Sequence, residues 1–143
     1  MTRFAAPADS PGFLLWHATL RWQRTITATL APMGLTHVQF VLLACTWWLN
    51  SQGAEPSQQE VATQAGTEIR MTSEVLRTLE SKGFIVRAAD PRDSRARALR
   101  TTRTGSALAR RAVRAVESAD AAFFGDVAGP PFVRALRTLA GKD

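Results

Sequence analysis

Apolar residues recur at helical spacing through most of this chain. From about Gly12 to Ala31 they fall at Leu14, Leu15, Leu20, Trp22, Ile26 and Leu30, and Pro32-Met33-Gly34 closes the run. Thr36 with Gln39 then forms a capping box, Leu35 can staple onto Phe40, and a second helix runs to about Asn50. Val38, Leu42, Cys45 and Leu49 lie on one face of it, Phe40, Leu43 and Trp47 on another. A helix apolar on two faces must bury both, one in its own domain and one against a partner subunit or a ligand. After the loop Gln52–Pro56, Ser57 with Glu60 makes a second capping box and opens a short helix with Val61, Ala62 and Ala65 inward. Gly66 supplies a turn, and a helix from about Thr67 to Lys82 follows, with Ile69, Leu76 and Leu79 as its buried stripe and Gly83 as its stop. Phe84-Ile85-Val86 reads as a strand, Ala88 to Ala98 as a hairpin and Leu99 to Thr101 as the return strand. Thr102 caps a long Ala/Arg-rich helix reaching about Phe124, with Leu108, Ala112, Ala115, Ala119 and Ala122 on one side. Gly125 and Gly129-Pro130-Pro131 break the chain before a last short helix carrying Phe132, Leu136 and Leu139. Residues 1–11 read as a loose arm. The pattern predicts a mainly α fold with a small β-hairpin.

Charge placement adds to this picture. The chain has 143 residues, 45% of them hydrophobic, and a net charge of +6. That is enough for one integrated domain with a real core. Between Val86 and Arg114 stand nine Arg (87, 92, 95, 97, 100, 103, 110, 111, 114) against two Asp (90, 93), so this stretch alone carries 9 − 2 = +7. Arg outnumbers Lys, which suits planar recognition of phosphate, although a basic face can also be merely solvated. A helix-turn-helix followed by an arginine-loaded hairpin is the outline of a winged helix-turn-helix, which points to double-stranded DNA as the partner. The doubly apolar second helix and the Ala-rich fifth helix point to a homodimer.

Other functions find little support. The single cysteine, Cys45, excludes an intrachain disulfide framework and sits in an apolar helical stretch, as a core thiol does. His17 and His37 are far apart and lack ligand partners at useful spacing, so no metal site or cofactor is expected. No phosphate-binding loop, nucleophile elbow or zinc-protease motif occurs, and an enzyme is not expected. With no membrane-length apolar run and no signal-peptide pattern, the expected compartment is the cytoplasm, at the nucleoid.

The chain resembles the multiple antibiotic resistance regulator (MarR) family of winged helix-turn-helix transcription factors. The resemblance spans about residues 13 to 140. Its specific part is L-E-S-K-G-F-I-V-R (Leu79 to Arg87), then D-P-R-D-S-R-A-R (Asp90 to Arg97), then T-x-x-G (Thr102 to Gly105). The resemblance implies a homodimer held by the first and the last two helices, with two winged lobes on a pseudo-palindromic operator. It also implies a small-molecule or oxidant signal that changes lobe separation, and repression as the usual mode. The corresponding layout is an arm and dimerisation helix over 1–35, the winged helix-turn-helix over 36–101, and dimerisation helices over 102–143. A DNA-binding protein of architectural type, with no ligand response, is the alternative.

Candidate contacts follow from the groove code. Arg70 and Arg77 can reach guanine or phosphate, and Thr72 and Ser73 base edges or phosphate, from the exposed side of the second motif helix. Glu68 and Glu74 depart from a comfortable pattern by placing negative charge where DNA approaches; Glu68 can also cap the helix or pair with Arg70. In the hairpin, Arg92, Arg95 and Arg97 are candidates for phosphate and minor-groove contact, while Asp90 or Asp93 pairing with Arg95 or Arg97 would brace the hairpin instead. Ser57 and Gln58 are candidate phosphate donors, with capping as their other role. Trp16, Trp22, Trp47 and Trp48 fit either core packing or an aromatic effector cleft. For the cleft the candidates are Trp16, His37 and Trp47, with Arg110 or Arg114 pairing a ligand carboxylate.

Overall fold

The computed structural model describes residues 3–90 and 92–142, with the side chains of 90 and 93–96 outside the description. Six helices and one hairpin follow each other as α1 (Pro11–Leu30), α2 (His37–Ser51), α3 (Gln58–Ala65), α4 (Ile69–Ser81), β1 (Ile85–Asp90), β2 (Asp93–Thr101), α5 (Arg103–Phe124) and α6 (Pro130–Ala140). Short 3-10 turns occupy Pro7–Asp9, Ala31–Met33 and Gly125–Val127, the first of them inside the arm expected to be loose. The mainly α fold with one small hairpin is the fold expected. The hairpin's ladder is longer than expected, because Ala88 pairs with Ala98 and Ala89 with Arg97 before the register shifts at Ala89/Asp90. A ladder needs only backbone donors and acceptors, and small Ala side chains place no bulk against it.

The chain forms two compact units, residues 30–115 and residues 1–29 with 116–143, so that the division falls inside α5. The first unit holds the helix-turn-helix and the hairpin. Leu42 and Leu43 of α2, Val61 of α3, Leu76 and Leu79 of α4, Ile85 of β1 and Leu99 of β2 are all buried there. Thr36 closes a complete capping box with Gln39. Ser57 accepts from the Glu60 backbone N–H, but Glu60 turns its carboxylate to the Ser57 hydroxyl, which leaves the second box half-formed. Gly66, at φ 72, makes the left-handed turn that a side chain would strain between α3 and α4.

β2 is held from outside the hairpin as well. Leu99 N–H donates to the Pro56 carbonyl at 2.8 Å. Asn50, at the end of α2, donates its amide to the carbonyls of Ala54 and Leu99 and accepts the Thr101 N–H at 2.9 Å. One side chain thus stands in for a neighbouring strand.

The T-x-x-G motif has a steric reason. Thr102 donates to the Gly83 carbonyl and accepts the Gly105 N–H, while its own N–H meets Phe84 O. A Cβ on Gly105 would lie 1.9 Å from that same Phe84 oxygen. The start of α5 is therefore seated on the junction of α4 and β1 at a spacing only glycine permits.

In the second unit, Trp22 of α1 donates from Nε1 to Asp120 Oδ1 of α5 at 2.7 Å. Phe124 packs against both Phe123 and Phe132, which brings the start of α6 to the end of α5. Phe13, Leu14, Leu15 and Trp16 on α1 and Leu136 and Leu139 on α6 stay exposed.

Candidate nucleic-acid interface

The interface begins with the division of α4 into two faces. Thr72, Leu76 and Leu79 are fully buried on one side. Helical spacing puts Arg70, Glu74 and Arg77 on the opposite side, all exposed. Ser73 flanks that row, half-buried, and accepts a hydrogen bond from Arg77 Nη2 at 3.3 Å.

Thr72 is not a DNA contact. Its hydroxyl donates to the Glu68 carbonyl at 2.8 Å and meets Thr67 Oγ1 at 2.6 Å, so it is buried with its hydrogen bonding satisfied. Ile69, expected in the buried stripe, is 41% exposed at the start of α4. Thr72 takes the place in the stripe that Ile69 was expected to fill, because Thr72, Leu76 and Leu79 share one helical face and Ile69 lies at its margin.

Glu68 is the N-cap. Its two carboxylate oxygens accept the N–H groups of Arg70 and Met71 at 2.8 and 2.9 Å. These bonds hold its carboxyl below the usual range for a glutamate. The N-terminus of α4 therefore already carries an anion and is not open to a phosphate, which leaves side chains to do the reading.

Around the N-terminus of α3, two arginines converge. Arg92 pairs with Glu60 Oε1 at 2.8 Å and donates to the Glu55 carbonyl at 3.3 Å. Arg87 donates from Nε to Glu80 Oε2 at 3.0 Å and from Nη1 to Gln58 Oε1 at 3.1 Å. Arg100 pairs with Glu55. Arg97 is exposed on β2. The Arg95 side chain lies outside the described residues, as do those of Asp90 and Asp93 in the brace considered above.

Of the candidate DNA contacts, the structure groups Ser57, Gln58 and Arg92 at the α3 N-terminus and Arg70, Ser73 and Arg77 on α4. The roles of Arg87, Glu55 and Asn50 went unread in the sequence, as did the pairing of Glu60 with Arg92. A basic residue facing inward from a hairpin has no local signal apart from strand alternation, and the acidic partners, Glu80 of Arg87, Glu60 of Arg92 and Glu55 of Arg100, lie far outside the hairpin's own strand pattern.

The effector candidates do not gather within the first unit. His37 and Trp47 are both half-buried on α2, but ten residues apart, about 15 Å of helix rise. Arg110 and Arg114 are exposed on α5, and Trp16, in the other unit, is 62% exposed. A polar cleft of about 350 Å³ is lined by Asn50, Gly53, Ala54, Glu55, Arg100, Thr101 and Ser106, none of them an effector candidate. Cys45 is half-buried, and burial pushes its thiol above the usual range, which disfavours the reactive thiolate. Among the described residues no group of three or more His, Cys, Asp or Glu is placed to hold a metal, and no single helix is long and apolar enough to cross a membrane.

A two-faced recognition helix behind a glycine turn, with a basic hairpin braced beside it, defines a winged helix-turn-helix DNA-binding regulator. Residues 35–96 match the model of the MarR family. The HTH-type transcriptional regulator YdcH of Bacillus subtilis (strain 168) is 46% identical over 123 residues, 86% of this chain and 84% of that protein. The HTH-type transcriptional repressor Rv2887 of Mycobacterium tuberculosis (strain ATCC 25618 / H37Rv) is 34% identical over 139 residues, 94% and 96% of the two chains. Its solved structure in complex with salicylic acid superposes with a TM-score of 0.64, at 31% identity over 93% of this chain and 95% of that one. CouR from Rhodococcus jostii RHA1 bound to p-coumaroyl-CoA gives a TM-score of 0.83 at 25% identity over 96% and 93%, and CouR on a 23-mer DNA duplex gives 0.78 at 26% over 99% and 96%. The chain belongs to the MarR family of transcription regulators, whose members are not enzymes.

Proposed function

We propose that the chain is a homodimeric repressor of a pseudo-palindromic operator, released by a small aromatic acid or its coenzyme A thioester. The observation that carries the reading is the exposed Arg70-Ser73-Arg77 row of α4, set on a unit whose own core is closed. The row reads base edges in the major groove; Arg92, Arg95 and Arg97 take phosphates or the minor groove; Ser57 and Gln58 hold the backbone at the α3 N-terminus. Self-pairing uses the exposed apolar rows of α1 and α6, in keeping with a layout of terminal dimerisation helices around a winged core. Half-sites then lie about one helical turn apart, roughly 10 base pairs. The protein works in the cytoplasm, on the chromosome.

The effector class rests on two relatives, one seen with an aromatic acid and one with an aromatic acyl thioester: salicylic acid on Rv2887 and p-coumaroyl-CoA on CouR. Within residues 30–115, His37 and Trp47 are the candidates for stacking and hydrogen bonding and Arg110 for pairing a carboxylate; Trp16 is a candidate on the other unit. Release requires tighter binding to the DNA-incompatible arrangement, since equal affinity for both shifts nothing. The test is fluorescence anisotropy of a labelled duplex that the chain itself selects from a random-sequence pool, titrated with salicylate and with p-coumaroyl-CoA. Displacement by either, with a parallel change in Trp emission, is expected. Binding to DNA that neither ligand nor a wider panel of aromatic acids disturbs would favour the architectural alternative.

A further inference from the structure

Arg87 is the first of the nine arginines in the basic stretch, yet it is built differently from a DNA contact. It stands opposite Leu99 in the hairpin register and so shares the inward face of the ladder. Its side chain is 22% exposed. Nε is taken by Glu80 at 3.0 Å, Nη1 by Gln58 at 3.1 Å, and Nη2 is buried with no hydrogen-bond partner among the described residues. Two of the three guanidinium nitrogens are thus engaged by protein acceptors and the third is buried.

What the guanidinium does to Gln58 follows from its chemistry. Arginine carries donors only, so the Gln58 atom that meets it must be the carbonyl oxygen. The amide nitrogen is thereby turned the other way. Nε2 has no acceptor among the described residues and is not among the buried unsatisfied atoms. Gln58 is the first residue of α3, where a donor adds to the backbone N–H groups and the positive end of the helix. Left alone, its carboxamide would rotate freely and present oxygen to a phosphate as often as nitrogen.

We propose that Arg87 is a positioning residue for DNA binding: anchored on Glu80, it locks the Gln58 carboxamide with its N–H groups outward toward the phosphate backbone, and does not itself touch DNA. The proposal rests on the reading of Gln58 as a phosphate donor. It requires arginine specifically, because one rigid fork spans Glu80 and Gln58 at once, whereas the single ammonium of a lysine does not.

The test uses the whole chain and a labelled duplex that the wild type has selected from a random-sequence pool. Arg87→Lys keeps the charge and loses the fork; Gln58→Ala removes the donor. Each should weaken binding by about tenfold to a hundredfold, the value of one hydrogen bond to a charged acceptor, and the double variant should be no weaker than the weaker single one. Arg87→Gln should also weaken binding while leaving the slope of log affinity against log salt at the wild-type value, because a guanidinium that touches no phosphate releases no counterion. A slope lower by about 1 in Arg87→Gln would mean direct phosphate contact and would overturn the proposal. So would an Arg87→Lys loss that persists undiminished in the Gln58→Ala background, or full affinity in Arg87→Lys when Gln58→Ala is weakened. Full affinity in Gln58→Ala would remove the underlying reading of Gln58, a separate failure. Should the Arg87 variants not fold, the wild-type Gln58 side-chain amide still decides: its NMR order parameter should match the rigid backbone, and a value below about 0.6 contradicts a locked carboxamide.

Discussion

In residues 30–115, leucines from α2, α4 and β2 meet with Val61 and Ile85 and are closed from water, while the side chains of Asn50, Thr72 and Thr102 donate to the backbone carbonyls of Leu99, Glu68 and Gly83. In residues 1–29 and 116–143, the described apolar side chains closed to that degree are Ile26 and Val116, while Phe13, Leu14, Leu15, Trp16, Val127 and Leu139 lie 46% to 76% exposed. Both stretches have helices with strong apolar rows. The first spends its rows internally, which frees its polar surface to meet a polyanion. The second leaves rows uncovered at a scale that marks an interaction surface.

Replacing one leucine in each unit separates these cases most sharply. Leu42→Ala, at a fully buried site, should lower the unfolding free energy by about 2–5 kcal/mol in urea titration. Leu139→Ala, at a site 76% exposed, should change it by no more than about 0.5 kcal/mol in dilute solution and should instead weaken self-association. Equal losses in the two variants would mean that the terminal row is core after all.

A smaller effect is expected at the seat of α5. Gly105→Ala gains helix propensity, but the added Cβ meets backbone at 1.9 Å, so a net loss of about 1–3 kcal/mol should appear in thermal melts. A stabilised variant would show that α5 is not seated there.

The smallest effect concerns the cap of α4. Glu68 has a folded-state carboxyl held low by the Arg70 and Met71 N–H groups. Its contribution is present above the unfolded pKa, about 4.3, and is lost as pH falls through the lower folded value. The stability gap between wild type and Glu68→Ala should therefore be widest near neutrality and narrow in acid. A gap that widens in acid would contradict the cap.

Much of this was legible from residue order. Thr36 and Gln39 announced α2 and Gly66 the turn, because each rests on local backbone chemistry, while Leu79 to Gly105 was legible as recognition helix, wing and following helix through its resemblance to the MarR family. Thr72 was misread because apolar periodicity overlooks a threonine that satisfies its hydroxyl on a neighbouring carbonyl and then packs like valine. The Asn50 brace on β2, the Arg87 fork and the Trp22–Asp120 bond join positions 49, 29 and 98 residues apart, and no local pattern encodes such pairs. Arginine count marked the basic stretch but not which arginines face the protein.

Sedimentation equilibrium of the whole chain, alone and with its selected duplex, tests most directly whether the open apolar rows pair two chains on DNA. The account predicts about twice 15.6 kDa for the free protein at micromolar concentration, and two chains on each duplex. A single species of 15.6 kDa that binds the duplex one chain at a time, without a second chain joining, would contradict it.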